Sequence, residues 1–473
     1  MKSYDNTFNK NKIKENVRKY EEALLQHRHI YFDSEDFTDI AEYYYNNGNI
    51  GKAVEVTDYA ISIFPGASAP LLFKARMALI DDRDTLKAKQ YASLVTDKTD
   101  YEYYYIQAEI MIIDKHTEEA NKFLLDKLSD MDEVNRCDFV IDVATIFADY
   151  DIIEKAEQWL NMSDDDSLID YKELKGRIAL GKGEYTKSEK IFSSLLDENP
   201  YSPSLWNGLA SSQWMQDKIN DSMTSSEFAI AIDPNDDEAT LNKANCLFRL
   251  GQYDKAHDFY RRFIRLCPKE DTGYLLLGNT LANLNRPQEA IQQYKIAEKM
   301  AKADSKNLLE IYQEQAFMLS YMNQVDEAIK YADKAELAEG SNKSEIMVLH
   351  GHILLENNRA EEARDYFRLA VLTSANSLII YLRIMVSMYD CEYYRAAYNL
   401  FKKIEPFLSE NWTDGYSYMA ASSLRIGKYD EFLHYLHKAC ALNIKEAGDV
   451  LADFFPQNIS PDNYYQYAKA HKI

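Results

Sequence analysis

The chain has 473 residues, 46% of them hydrophobic and 28% charged, with only 15 Gly and 10 Pro. This suits a folded protein long enough for several domains or one long repeat array, and it argues against a turn-rich sheet protein or a disordered chain. A formal net charge of −23 without a basic stripe disfavours nucleic acid and anionic membrane surfaces as main partners.

Cys137, Cys246, Cys267, Cys391 and Cys440 are scattered and form no CxxC pair, which points to reduced thiols and a cytoplasmic setting. The polar N-terminus lacks the apolar stretch of a secretory signal. No run of about 18 apolar residues is present, so no membrane span is expected.

In chain order, residues 1–33 read as a polar tail and a capping helix, with Ile13, Val17, Tyr20 and Leu24 on one face. Helix pairs then occupy residues 34–446, with starts near Ser34, Ala69, Tyr101, Cys137, Ile169, Pro203, Asp237, Asp271, Leu309, Ser344, Leu378 and Thr413, twelve in all. A 34-residue echo is clearest in the middle. From Pro203, positions 4, 7, 8, 15, 20, 24, 27 and 32 hold Trp206, Leu209, Ala210, Asp217, Ser222, Ser226, Ala229 and Pro234. One period later Ala244, Gly251, Ala256, Tyr260 and Pro268 occupy positions 8, 15, 20, 24 and 32. Tyr274, Leu277, Gly278, Ala290, Tyr294 and Ala297 repeat positions 4, 7, 8, 20, 24 and 27.

Within each repeat a small residue on the first helix allows close helix approach. A turn residue that tolerates the left-handed backbone comes next, as at Gly48, Gly183, Asn285, Asn323, Asn358 and Gly427; Arg83, Lys115 and Asp151 occupy that place in the least regular repeats. Pro65, Pro200, Pro234 and Pro268 end second helices, and Pro287 starts one. The wider spacing before Leu309 predicts a longer second helix, from Gln288 to about Ala303, and a bend between two halves. Asn161–Leu168 reads as an exposed loop. Residues 447–473 read as capping helices, with Ser460 as a cap and Tyr464, Tyr467 and His471 on one face.

These residues resemble the tetratricopeptide repeat over roughly residues 34 to 446. The resemblance implies an all-α, right-handed superhelical solenoid of about twelve helix pairs with helical caps at both ends. It also implies that first helices line a concave groove that takes extended peptides or helices. Positions 2, 5, 9, 12 and 13 of each first helix then point inward. In the central repeats this face collects Arg177, Asn207, Trp214, Asn242 (one step away), Asn245, Arg249, Asn279 and Asn283 as partner-binding candidates. Amides pair with a peptide backbone, Arg forks onto carboxylates and Trp supplies an anchor. Nearer the N-terminus the same face is acidic, with Glu35, Glu42, Glu102, Glu109, Asp138 and Asp142.

Two family devices are tested by position. A carboxylate clamp would need Lys/Asn, Asn and Lys/Arg on successive repeats, where this chain has Asn207 and Ser211, then Asn242, then Thr272 and Leu276; only Asn242 matches. The Asn ladder of sugar-transferring relatives meets Leu174, Gly208, Asn242 and Leu276.

No catalytic motif, metal-ligand spacing or cofactor fingerprint stands out. His350 and His352 do not share a helix face; His434 and His437 do, without further ligands nearby in sequence. In the runs Tyr43–Tyr45 and Tyr103–Tyr105 one Tyr each falls on the inter-helix face. The expected function is a cytoplasmic, non-enzymatic protein-interaction scaffold without cofactor, whose partner is a protein or peptide. The alternative is a peptide-responsive regulator whose superhelix changes shape on binding.

Overall fold

The computed structural model describes residues 6–26, 28, 31–80, 84–131, 133–163, 165–302 and 305–471. They form 27 α-helices with three short 3-10 turns, most of the helices in antiparallel pairs. The chain divides into two compact bodies, Met1–Leu250 and Gly251–Ile473.

In the N-terminal body α1 (Asn6–Leu25) precedes the pairs α2 (Ser34–Asn46) and α3 (Ile50–Ile63), α4 (Ser68–Ile80) and α5 (Thr85–Ser93), and α6 (Tyr101–Ile113) and α7 (Thr117–Ser129). Next come α8 (Glu133–Asp149) and α9 (Ile153–Leu160), α10 (Ile169–Gly181) and α11 (Tyr185–Glu198), α12 (Pro203–Trp214) and α13 (Ile219–Ile232), and then α14 (Asp237–Arg249). The C-terminal body begins with α15 (Tyr253–Leu266). It continues with the pairs α16 (Asp271–Asn283) and α17 (Pro287–Met300), α18 (Leu308–Tyr321) and α19 (Val325–Leu337), and α20 (Lys343–Glu356) and α21 (Ala360–Thr373). The last pairs are α22 (Leu378–Asp390) and α23 (Tyr394–Ile404), and α24 (Tyr416–Arg425) and α25 (Tyr429–Leu442); α26 (Ile444–Leu451) and α27 (Tyr464–His471) close the chain.

Each repeat is set by position 8 of its first helix, which is buried throughout: Ala41, Ala75, Ala108, Ala144, Gly176, Ala210, Ala244, Gly278, Ala316, Gly351, Met385 and Ala420. Where this residue is Gly, an aromatic ring of the second helix lies against it. A Cβ on Gly278 would sit 2.3 Å from Tyr294, one on Gly351 2.3 Å from Phe367, and one on Gly176 3.0 Å from Phe192. Position 20 of the second helix is equally closed, with Ala120, Ala156, Ala290, Ala328 and Ala363 fully buried. Where Ser replaces Ala there, its hydroxyl is satisfied by the first helix: Ser188 Oγ donates to the Gly176 carbonyl and Ser222 Oγ to the Ala210 carbonyl, both at 2.8 Å.

The turn at position 15 is left-handed in every described repeat. Its residues are Gly48, Lys115, Asp151, Gly183, Asp217, Gly251, Asn285, Asn323, Asn358, Glu392 and Gly427, with φ between 56° and 78°. Arg83, the turn residue expected in the second repeat, lies outside the described residues. At Pro65, Pro200, Pro234 and Pro268 the second helix ends two residues before the proline, and the residue between leaves the helical region. Proline's ring disfavours helical backbone in its predecessor.

Several expectations are corrected. α8 begins at Glu133, a turn ahead of Cys137, although Ala144 and Asp151 keep the register. α24 begins at Tyr416 rather than near Thr413, because Gly415 turns left-handed at φ 84° and its N–H, with that of Ser417, donates to the Glu446 carboxylate. The second helix after Pro287 does not lengthen: α17 stops at Met300, and Ala301 is extended. The additional residues lie in the connection to α18, where Ser305 and Asn307 donate to Asp271 at the start of α16; Ala303 lies outside the described residues. The division between the two bodies falls at Gly251.

At the N-terminal end Val17 and Tyr20 of α1 join the core of the first pair, while Leu24 is exposed. At the other end Tyr464 stacks on Phe455 at 4.0 Å, and the Ser460 hydroxyl donates to Asp462 instead of capping a helix. In the loop after α9, Asp165 accepts from the Ser167 N–H and hydroxyl; Asp164 lies outside the described residues.

Gly278→Ala should drive a methyl into Tyr294 and cost about 1–3 kcal/mol in urea unfolding, whereas Gly51→Ala, with open space around its Cβ, should gain about 0.5–1 kcal/mol. Glu392→Gly should raise the midpoint, by about 1 kcal/mol, by relieving a left-handed non-glycine backbone; an unchanged or lower midpoint would contradict this account of the turn.

Candidate functional site

Packing positions 8 and 20 together leaves position 9 of each first helix beside the closed contact. In the N-terminal body position 9 holds Glu42, Arg76, Glu109, Thr145, Arg177, Ser211 and Asn245. Arg76 was hidden from the sequence by one residue of register. With α4 starting at Ser68, Ala75 takes the buried place and Arg76 joins the acidic face.

There the Arg76 Nη2 lies 3.1 Å from Glu102 Oε2 and 3.3 Å from Glu109 Oε1. Burial alone would lower the Arg76 pKa, but Glu109, Glu102 and Glu42 raise it. Desolvation pushes Glu42 and Glu109 above the usual carboxylate range, with Arg76 only partly offsetting it. Asp142 is likewise raised by desolvation although Tyr105 donates to it at 3.0 Å. Glu35 and Asp138 are exposed members of the same acidic set. One Tyr of each cluster, Tyr44 and Tyr105, is buried, as the register implied.

Farther along this body the candidate residues are mostly engaged with neighbours. Arg177 pairs with Asp149 at 2.5 Å. Asn207 is buried and donates through Nδ2 to Asp236, which also caps α14 by accepting from the Ala239 N–H. The Asn207 Oδ1 and the Asn242 Nδ2 are buried without partners among the described residues. Trp214 is half-buried and its indole N–H has no hydrogen bond among the described residues. Asn245 is half-buried on α14, and Arg249 lies 3.7 Å from Asp217. Two acids not singled out by the sequence join this face: Glu173 and Glu238, both raised by desolvation and both opposed by Arg177.

In the C-terminal body position 9 holds Asn279, Phe317, His352, Val386 and Ala421, an uncharged or weakly charged series. Asn279 bridges two neighbours, accepting from Tyr294 Oη at 2.8 Å and donating to Glu310 at 3.3 Å. Asn283 is exposed and donates to the Asn279 carbonyl of its own helix. His352 meets Phe317 edge to face at 5.2 Å, and desolvation lowers it to about 4. His350 faces Asp333 and stacks on Tyr366. Among the described residues no group of three or more His, Cys, Asp or Glu side chains is placed to hold a metal ion, and no helix is long and apolar enough to cross a membrane.

Desolvation, with Glu310 nearby, raises Glu314 to about 7. Its folded pKa exceeds its unfolded one, so the native state binds the proton more tightly. This contribution to stability therefore falls as pH rises from about 4.5 through 7. Glu314→Gln should flatten that part of the pH dependence of the unfolding midpoint; an unaltered slope would place the titration elsewhere.

Two family models match the sequence: anaphase-promoting complex (cyclosome) subunit 3 over residues 215–297 and the tetratricopeptide repeat over residues 344–376. No curated protein matches it. Among solved structures, yeast Tom70 is similar at 18% identity and TM-score 0.44, covering 99% of this chain and 94% of its own. The Cut9–Hcn1 hetero-tetramer of the APC/C is similar at 13% identity and TM-score 0.40, with 90% of each chain covered. PilF of Pseudomonas aeruginosa is similar at 17% identity and TM-score 0.38, covering 44% of this chain and 93% of its own. With the helix pairs, the left-handed turn at position 15 and the repeat matched at residues 344–376, the chain is a tetratricopeptide-repeat-containing protein.

Proposed function

We propose that the protein is a protein-interaction scaffold without a reaction of its own, and that the first-helix face of its N-terminal body takes an extended, basic peptide segment. The observation that carries this reading is the excess of desolvated carboxylates there. Desolvation raises the pKa values of Glu109, which is buried, and of Glu42, which is exposed at the surface, and among the described residues Arg76 is the cation that opposes both shifts. A Lys or Arg from a partner would add counter-charge beside Arg76 and take the place of lost hydration. Asn242, whose Nδ2 has no partner among the described residues, and the half-buried Trp214 lie farther along the same series of first helices and offer a side-chain amide donor and an apolar anchor.

The alternative of a peptide-responsive regulator shares this binding step and adds to it a change in the shape of the superhelix. The test is selection from a peptide library on the full-length protein, then titration of the selected peptides. Lys/Arg-rich peptides should be enriched. Their affinity should fall with salt and rise with pH as the raised carboxylates ionise. Glu42→Gln with Glu109→Gln should weaken binding by about tenfold. Enrichment of acidic peptides, or binding indifferent to salt and to both substitutions, would overturn the proposal.

A further inference from the structure

In the C-terminal body a cavity of about 550 Å³ opens between α21, α22 and α23. Its walls are mostly apolar: Phe367, Val371 and Leu372 from α21, Ile384 and Met388 from α22, and Leu400 from α23, with Tyr381 and Tyr393 adding rings that carry hydroxyls. Ala360 and Ala396 line it with side chains that end at Cβ, so nothing reaches across to fill it. The chain leaving α21 makes an abrupt turn through two successive left-handed residues, Ala375 and Asn376, where no proline stops the helix. Leu372, on the wall, is 69% exposed. A space of this volume lies in the range that takes a small organic ligand, roughly 300–1,000 Å³.

Two charges interrupt the apolar lining, and both are cations. Arg364 and Arg368 stand four residues apart on α21 and line the same cavity. Like charges at that spacing repel on a helix surface. Arg364 is 3.0 Å from Glu361, but Arg368 has no ion-pair partner among the described residues. In a chain of net charge −23, the charged side chains that line this cavity are both positive. The acids on the same helix, Glu361, Glu362 and Asp365, are exposed and would repel a partner carrying many negative charges. A ligand with one anionic group and an otherwise uncharged body avoids that repulsion while meeting the arginines.

We propose that this cavity binds a small anionic amphiphile, a hydrocarbon body bearing a single carboxylate, with the body between α21, α22 and α23 and the carboxylate at Arg364 and Arg368. The site is separate from the first-helix face proposed for peptides and does not depend on it.

The test uses the full-length protein and dodecanoate below its micelle concentration, titrated by calorimetry beside dodecanol and dodecyltrimethylammonium. Saturable one-site binding of dodecanoate is expected, weaker by about tenfold for dodecanol and for the exposed double variant Arg364→Ala with Arg368→Ala. Ala396→Trp, placed to fill the cavity, should abolish it, with circular dichroism showing that the helices persist. Absence of saturable dodecanoate binding to the unaltered protein would overturn the proposal. So would equal binding of the cationic amphiphile, or binding that survives both the double variant and Ala396→Trp.

Discussion

The close contact between a small residue on all but one of the first helices and the second helix beside it is the constraint on which the rest of this structure depends. Gly278 against Tyr294, Gly351 against Phe367 and Gly176 against Phe192 are its tightest forms. Helices that approach this closely have one rotational setting, because ridges and grooves at the contact admit no other. That setting determines which side chains of the first helix remain available. The polar residues gathered at position 9 are available because position 8 is committed to packing.

The same constraint explains how charge is arranged. A repeated setting brings residues about one repeat apart in sequence next to each other, so carboxylates from separate helices share one desolvated strip. Arg76 bridges Glu102 and Glu109 across that strip, and Tyr105 donates to Asp142 from the next first helix. In the C-terminal body the corresponding series runs through Asn279, Phe317 and His352 and is far less charged. Where α21, α22 and α23 enclose a cavity instead of filling it, Ala360 and Ala396 are too short to close the space. Small residues thus serve the fold at one position and open a hollow at another.

The repeat period, the helix pairing and the turns were legible in the sequence because their signals are local. A small residue, a turn residue seven positions on and a proline stop all act within a few helical turns. Asn285 and Gly427 adopt the left-handed turn that their chemistry allows. Lys115 and Glu392 adopt it too, although nothing in their side chains calls for it; the close helix pairing imposes it there. The connection before α18 reads as helix in the sequence because its apolar and basic residues suit one, whereas Ser305 and Asn307 are drawn to Asp271 in the preceding repeat.

By itself the sequence determined the architecture: an all-α chain of helix pairs, their approximate starts, and the face on which polar residues collect. Only the tertiary structure decided which of those polar residues are free to act. Asn207 and Asn279 are turned to Asp236 and to Tyr294 and Glu310, Arg177 to Asp149, while Arg76, one place away from its apparent register, enters the acidic strip. The reason is physical. Helix pairing arises from contacts near in sequence, but a side chain's partner belongs to another helix, and a shift of one residue in register turns that side chain by about 100°.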